Sequence, residues 1–250
     1  MKERIGHAPG DHRLWPPPSK PWAMAQTWHD LIFAHWPIAV EQLRSLIPAG
    51  LRIDTYEGQA WVGVVPFRMS GIRPRLLPPV PWLSAFPELN VRTYVIADDK
   101  PGVWFFSLEA ANPVAVAVAR WWYLLPYFRA QMSCRTEGTD IAYASRRVHR
   151  GAPAANFFAQ YRPTGAVFQA RRGSLEYWLT ERYCLYTTDA RRQIYRGEID
   201  HPPWPLQLAE AAIRENTMTL SLDIRLPEVP PLLHFARQQD VVVWPLTRVT

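Results

Sequence analysis

Asn90-Val91-Arg92-Thr93-Tyr94-Val95-Ile96, followed by Ala97-Asp98-Asp99-Lys100-Pro101-Gly102 and then Val103-Trp104-Phe105-Phe106-Ser107-Leu108-Glu109, is the stretch whose reading decides the fold. Its outer parts, Asn90–Ile96 and Gly102–Glu109, are β-branched and aromatic, the composition of strands. The Asp-Asp and Pro-Gly chemistry between them is that of a hairpin. Two adjacent antiparallel strands are therefore expected. Upstream, Ala60–Met69 is too apolar for a solvent-facing strand and carries Gly63 and Pro66, so it reads as a buried, bulged or edge-like strand. Ile72–Pro87 carries five prolines and reads as a long rigid loop of the kind that lines sites.

Outward from this centre, Ile38–Ile47 has helical spacing and stops at Pro48, and Leu51–Asp54 reads as a strand. Asn112-Pro113 is an N-cap and N1 pair opening a helix to about Leu125, apolar nearly all round and so expected to be buried. Gln131–Thr136 and Asp140–Arg147 flank Glu137-Gly138 as a second hairpin, and Ala166–Arg171 reads as a strand. Ser174 caps a short helix through Arg182. Tyr183–Tyr186 and Gln193–Ile199 form a third hairpin, Leu206–Arg214 a helix, and Leu220–Arg225 and Val241–Val243 strands. With no repeat and no Gly/Ser linker, the expectation is an α+β, β-rich fold: one curved antiparallel sheet or barrel with flanking helices, residues 22–250, preceded by a flexible arm at 1–21.

Bulk properties exclude several classes. Nearly half of the 250 residues are apolar and 20% are charged, which is globular composition. Cys134 and Cys184 match no metal spacing and read as reduced thiols of a cytoplasmic protein. The polar, proline-rich N-terminus and an apolar run, Pro113–Ala119, cut by Arg120 argue against a signal peptide and a membrane span. The net charge of +6 is carried by arginines scattered as singles and pairs, not by a basic stripe, which argues against nucleic acid. His29 and His35 lack helical zinc spacing, so no metal is expected. No Gly-x-Ser-x-Gly elbow and no phosphate-cradling glycine loop occurs, and no cofactor is expected.

Several segments, Ala34-His35-Trp36-Pro37, Leu43–Leu51, Trp61–Met69, Phe86–Val95 and Leu125-Pro126-Tyr127, resemble the YqjF-like family of uncharacterised proteins over about residues 25–245. Through that family the chain more distantly resembles acetoacetate decarboxylase, a barrel-like fold whose pocket lysine forms a Schiff base. The resemblance places Tyr127, or Phe128 with a one-residue shift, where that lysine would stand. No primary amine lies near, so Schiff-base chemistry is not expected. It also implies Glu88 as the counterpart of a pocket glutamate and His29 in place of a pocket arginine.

Strand alternation puts Glu88, Asn90, Arg92 and Tyr94 on one face, opposite Val91 and Val95. That face lines a pocket or faces solvent; the resemblance favours the pocket, with Glu88 as acid or base and Arg92 holding a substrate carboxylate. Glu109 and Arg120 are expected to meet as an ion pair or a substrate contact. The twelve tryptophans are mostly core, with some lining a cavity for an apolar carboxylate or carbonyl compound. Three functions stay open: a lyase or hydratase without a Schiff base, a non-catalytic small-molecule binder or sensor, and a structural or nucleic-acid role. A homo-oligomer is compatible with any of them.

Overall fold

The computed structural model describes residues 12–79 and 84–249. The part of the expected arm at residues 1–11, and residues 80–83 of the expected proline-rich loop, lie outside that description. Thirteen strands form one sheet: β1 (Met24–Ile38), β2 (Arg52–Ile53), β3 (Ala60–Pro74), β4 (Phe86–Ala97), β5 (Lys100–Ala110), β6 (Tyr127–Glu137), β7 (Asp140–Arg147), β8 (Asn156–Phe168), β9 (Cys184–Thr188), β10 (Ile194–Asp200), β11 (Leu206–Asn216), β12 (Leu232–Val243) and β13 (Thr247–Arg248). Three helices flank it: α1 (Val40–Arg44), α2 (Pro113–Trp122) and α3 (Leu175–Thr180). None of the described helices is long and apolar enough to cross a membrane.

The sheet closes on itself twice. β4 pairs with β5, and β10 pairs with β12, so the run β12-β1-β3-β4-β5 belongs both to a ring completed by β9 and β10 and to a ring completed by β6, β7, β8 and β11. The shared strands are thus covered on both faces. Ile32, Ala34, Val62, Val64, Leu89 and Val91 enter one core; Leu31, Phe33, Val65, Phe67 and Met69 enter the other. This explains why the sequence of these strands lacks clean polar alternation. The β4–β5 hairpin runs in antiparallel register from Glu88↔Ala110 to Ala97↔Lys100. Pairing is antiparallel throughout except that β5 runs parallel to both β6 and β9.

Several local expectations are corrected. Leu206–Arg214 is a strand, not a helix: its outer positions Leu208, Glu210, Ala212 and Arg214 alternate with half-buried Gln207, Ala209, Ala211 and Ile213. Pairing with β8 and β12 outweighs the helix propensity of its alanines. Leu220–Arg225 is no strand; it holds a 3-10 turn, Leu220–Leu222, ended by Asp223 at φ 56. The strand read as Ala166–Arg171 is instead Asn156–Phe168, and β1 and most of β12 carried no strand expectation. Ile72–Pro74 and Phe86–Pro87 belong to β3 and β4 and not to a loop.

The helix after Asn112 is capped as its sequence demands, with the side chain accepting from Val114 and Ala115 N–H. It is not buried, however. Only Val116 is fully covered, while Val114, Val118, Trp121 and Trp122 are exposed, because this single short helix lies over the end of a barrel and has no second layer above it. At the opposite wall the described part of the N-terminal arm is held: Arg13 bonds Asp200 at 2.8 Å and Glu198 at 3.1 Å, and Trp15 Nε1 donates to Glu198 at 2.7 Å.

Candidate functional site

Inside the ring that includes β9 and β10 lies a cavity of about 120 Å³. Its apolar walls come from Trp28, Phe67, Met69, Leu108 and Trp204, and its polar groups from Gln26, Glu88, Asn90, Arg92, Tyr127, Thr180, Arg182 and His201. A cavity of roughly 150 Å³ admits benzene, so this one suits a ligand of similarly few atoms. The ends of α2 and α3 close it, through Ala119 and Tyr123 on one side and Thr180 and Arg182 on the other.

The alternation of β4 delivers Glu88, Asn90 and Arg92 to this cavity. Glu88 is 2% exposed, and its Oε2 accepts from Tyr127 Oη at 2.8 Å. Tyr127 opens β6, placed there by the Leu125-Pro126 turn and by the parallel pairing of Leu108 with Tyr127. Burial pushes the Glu88 carboxyl up from 4.5 to about 8, with the Tyr127 hydrogen bond opposing and the charge of Glu109 adding. At neutral pH the carboxyl is therefore protonated.

Arg92 is buried and forms no ion pair among the described residues; its Nη2 reaches the Leu179 carbonyl at 3.4 Å and its Nε has no partner. Its guanidinium lies 5.2 Å from the Phe33 ring and 5.7 Å from the Tyr94 ring. Gly63 makes room for this packing: a Cβ there would stand 2.9 Å from His35 Cδ2 and 3.5 Å from Arg92 Cγ. Tyr94 faces the same way but does not line the cavity. It is fully buried, donates to the Leu179 carbonyl at 2.9 Å and sits 2.6 Å from His35 Nε2. Since the single hydroxyl proton goes to Leu179, His35 donates from Nε2, and burial together with Arg92 keeps it neutral by holding its pKa well below 6.5.

Besides Tyr94, three residues singled out in the sequence stand apart from the cavity. Glu109 is fully buried on the other face of β5, bonded by Arg147 Nε at 2.9 Å and by Ser107. Arg120 does not meet it. Arg120 is exposed and donates to the Tyr127 carbonyl at 2.7 Å, since α2 lies on the surface and offers its guanidinium to water and to backbone. His29 is half-buried, bonds Ser70 at 2.7 Å and is absent from the lining, because its neighbours Gln26 and Trp28 take the inward positions of β1. In turn, Arg182, Trp28, Trp204 and Tyr123 line the cavity although no pattern in the sequence marks them. Trp28 Nε1, Trp204 Nε1, Tyr123 Oη, Asn90 Oδ1 and Arg182 Nη2 are buried without partners, an unusual density of unmet polar atoms for one site.

The raised Glu88 carboxyl has a sign-definite consequence. Between about 4.5 and 8 the folded state holds a proton that the unfolded chain has released, so stability falls as pH rises through that window. Glu109, raised to about 6 by burial, contributes in the same direction. Glu88→Gln is expected to remove most, not all, of the decline, which amounts to roughly 3–5 kcal/mol by linkage. Denaturant melts at pH 5 and pH 8 measure it; an unchanged slope in the variant contradicts the assignment.

Comparison with known proteins agrees with this architecture. The model of the DUF2071 family, described as an uncharacterized conserved protein, matches residues 25–240. The uncharacterized protein YqjF of Bacillus subtilis (strain 168) is 51% identical over 227 residues, covering 91% of this chain and 93% of that protein. Among solved structures, the enduracididine biosynthesis enzyme MppR complexed with pyruvate aligns with a TM-score of 0.63 at 10% identity, covering 96% of this chain and 94% of that one. Acetoacetate decarboxylase from Legionella pneumophila aligns with a TM-score of 0.62 at 11% identity, covering 95% and 92%. These structures share the fold. By family match and sequence identity, the chain belongs to the DUF2071 family of uncharacterized conserved proteins, on an acetoacetate-decarboxylase-like scaffold.

Proposed function

We propose that the cavity takes a small carboxylate that also carries a carbonyl or hydroxyl group, and that the protein acts on it as a lyase or hydratase in which Glu88 is the proton donor. One observation carries the reading: a carboxyl held protonated near neutral pH shares a small cavity with a buried guanidinium that has no carboxylate partner among the described residues. Buried arginine without a counter-charge is costly, and a ligand carboxylate removes the cost. Arg92 then fixes the acid group. Glu88 delivers its proton to a developing oxyanion or a departing hydroxyl, His201, which lines the same cavity and is kept neutral by burial, takes the proton that leaves carbon, and the Tyr127 hydroxyl stabilises the resulting Glu88 carboxylate at Oε2. Trp28, Phe67 and Trp204 exclude water.

Among the described residues no lysine lines the cavity; Lys100 is paired with Glu198 at 3.1 Å in a surface hairpin, and Lys20 is exposed. The chemistry is accordingly proton transfer and not amine catalysis. A solved neighbour of the same fold is complexed with pyruvate, a molecule whose size suits this cavity. The largely apolar lining favours the second reading, a non-catalytic binder or sensor.

One experiment separates them: proton NMR of pyruvate and 2-oxobutyrate in D2O with wild-type protein and Glu88→Gln, each also treated with borohydride. Catalysed loss of the C–H signal next to the carbonyl, abolished in the variant and without any borohydride-trapped adduct by mass spectrometry, is expected. Binding without exchange supports the sensor, and an adduct on any lysine overturns the mechanism.

A further inference from the structure

Arg182 closes the cavity beside Arg92. Its Nη1 bonds Asp54 at 2.6 Å, its Nε donates to the Trp178 carbonyl at 2.6 Å, and its Nη2 has no partner. Its guanidinium packs 4.7 Å from the same Tyr94 ring that Arg92 touches. Tyr94 and Leu179 hold the two arginines at one end of the cavity, since Arg92 Nη2 and Tyr94 Oη both donate to the Leu179 carbonyl.

The charged side chains that line the cavity are paired except at one residue. Asp54 neutralises Arg182, and the Glu109–Arg147 pair on the far face of β5 neutralises itself. Glu181 is buried but does not line the cavity, and its oxygens accept from the Trp204 N–H and the Tyr183 hydroxyl. Among the lining residues Arg92 alone is left uncompensated.

We infer that the cavity selects a monoanion over both a dianion and a neutral molecule of the same shape, with Arg182 Nη2 donating to the anionic group alongside Arg92. This rests on reading the cavity as the small-molecule site, and it adds the charge class of the ligand and a second recognition residue. A monoanion brings the lining to neutrality. A dianion leaves one buried negative charge unmatched, and a neutral isostere leaves the Arg92 charge unmatched.

Charge selection is coupled to Glu88. The groups facing it are Tyr127 from β6, Asn90 and Arg92 along β4, Tyr123 after α2, Arg182 after α3, His201 after β10 and, through the sheet, Glu109 with Arg147. Tyr123 and Tyr127 stay protonated because burial raises both, and burial keeps His201 neutral by lowering it. Ionisation of Glu88 above about 8 therefore supplies a negative charge in the ligand's place and weakens anion binding by about tenfold per pH unit.

Calorimetric titration of the full chain at pH 7 with pyruvate, malonate and pyruvamide tests this. Pyruvate is expected to bind at least about tenfold tighter than the other two. Arg182→Gln is expected to cost about ten- to 150-fold in pyruvate affinity, with Arg182→Lys recovering part of it. The decline above about pH 8 is expected to vanish in Glu88→Gln. Equal binding of the three probes by the wild-type protein, or an Arg182→Gln protein that binds pyruvate as tightly as the parent, overturns the charge selection while leaving the small-molecule site intact. Failure of all three to bind overturns the site and the selection together.

Discussion

Replacing Arg147 by alanine is expected to destabilise the fold by about 3–5 kcal/mol, because it strands the Glu109 carboxylate in a fully buried site. The guanidinium and the carboxylate are 3% and 0% exposed. Arg147 also stacks 4.1 Å from the Phe128 ring, and that packing is lost with it. For a chain of this length the loss corresponds to a fall in Tm of roughly 6–20 °C. Glu109 is already raised to about 6 by burial, with Arg147 the main opposing influence. Without Arg147 it rises further, so the damage is smaller at pH 5, where the carboxyl takes a proton, than at pH 8. The exposed pair Arg162–Glu210, with side chains 52% and 64% exposed, provides the contrast. Arg162→Ala is expected to leave stability nearly unchanged. Thermal melts of the two variants at both pH values check this, and equal losses would mean that the Glu109 site is wet.

The second large effect is on binding. Arg92→Ala is expected to weaken pyruvate affinity by about ten- to 150-fold, the value of one charge-assisted pair of roughly 1.5–3 kcal/mol. Stability is expected to change little or to rise, since the substitution also removes a buried charge that has no carboxylate partner among the described residues. Arg92→Lys should restore only part of the affinity, because an ammonium keeps the charge without the planar fork. A variant that binds pyruvate as tightly as the parent would show that the cavity does not use Arg92.

The strands of the β4–β5 and β6–β7 hairpins were legible because their turns carry their own chemistry, Asp-Asp with Pro-Gly in one and Glu137-Gly138 in the other. Period-two alternation brought Glu88, Asn90 and Arg92 together on one face from sequence alone. β1 was not legible, because it is covered on both faces and kinked at Asp30, whose φ is 51. Its side chains therefore carry neither a period of two nor a turn signal. β11 misled because Ala209, Ala211 and Ala212 favour helix locally while the neighbouring strands decide otherwise. The partner of Glu109 was misassigned for a related reason. Arg120 looked buried in an apolar helix, yet α2 has no second layer over it, and the true partner comes from β7, remote in sequence. Arg182 escaped notice because a single arginine after a short helix carries no pattern, and only the closure of the ring points it at the cavity.

Carbon-13 NMR of protein labelled at glutamate, with Glu88 assigned by comparison with Glu88→Gln, addresses the central claim most directly. A midpoint near 8 for the Glu88 carboxyl is expected, leaving the proton on hand at neutral pH. Titration near the ordinary 4.5 would mean a solvated, ionised carboxylate and would contradict its role as the proton donor.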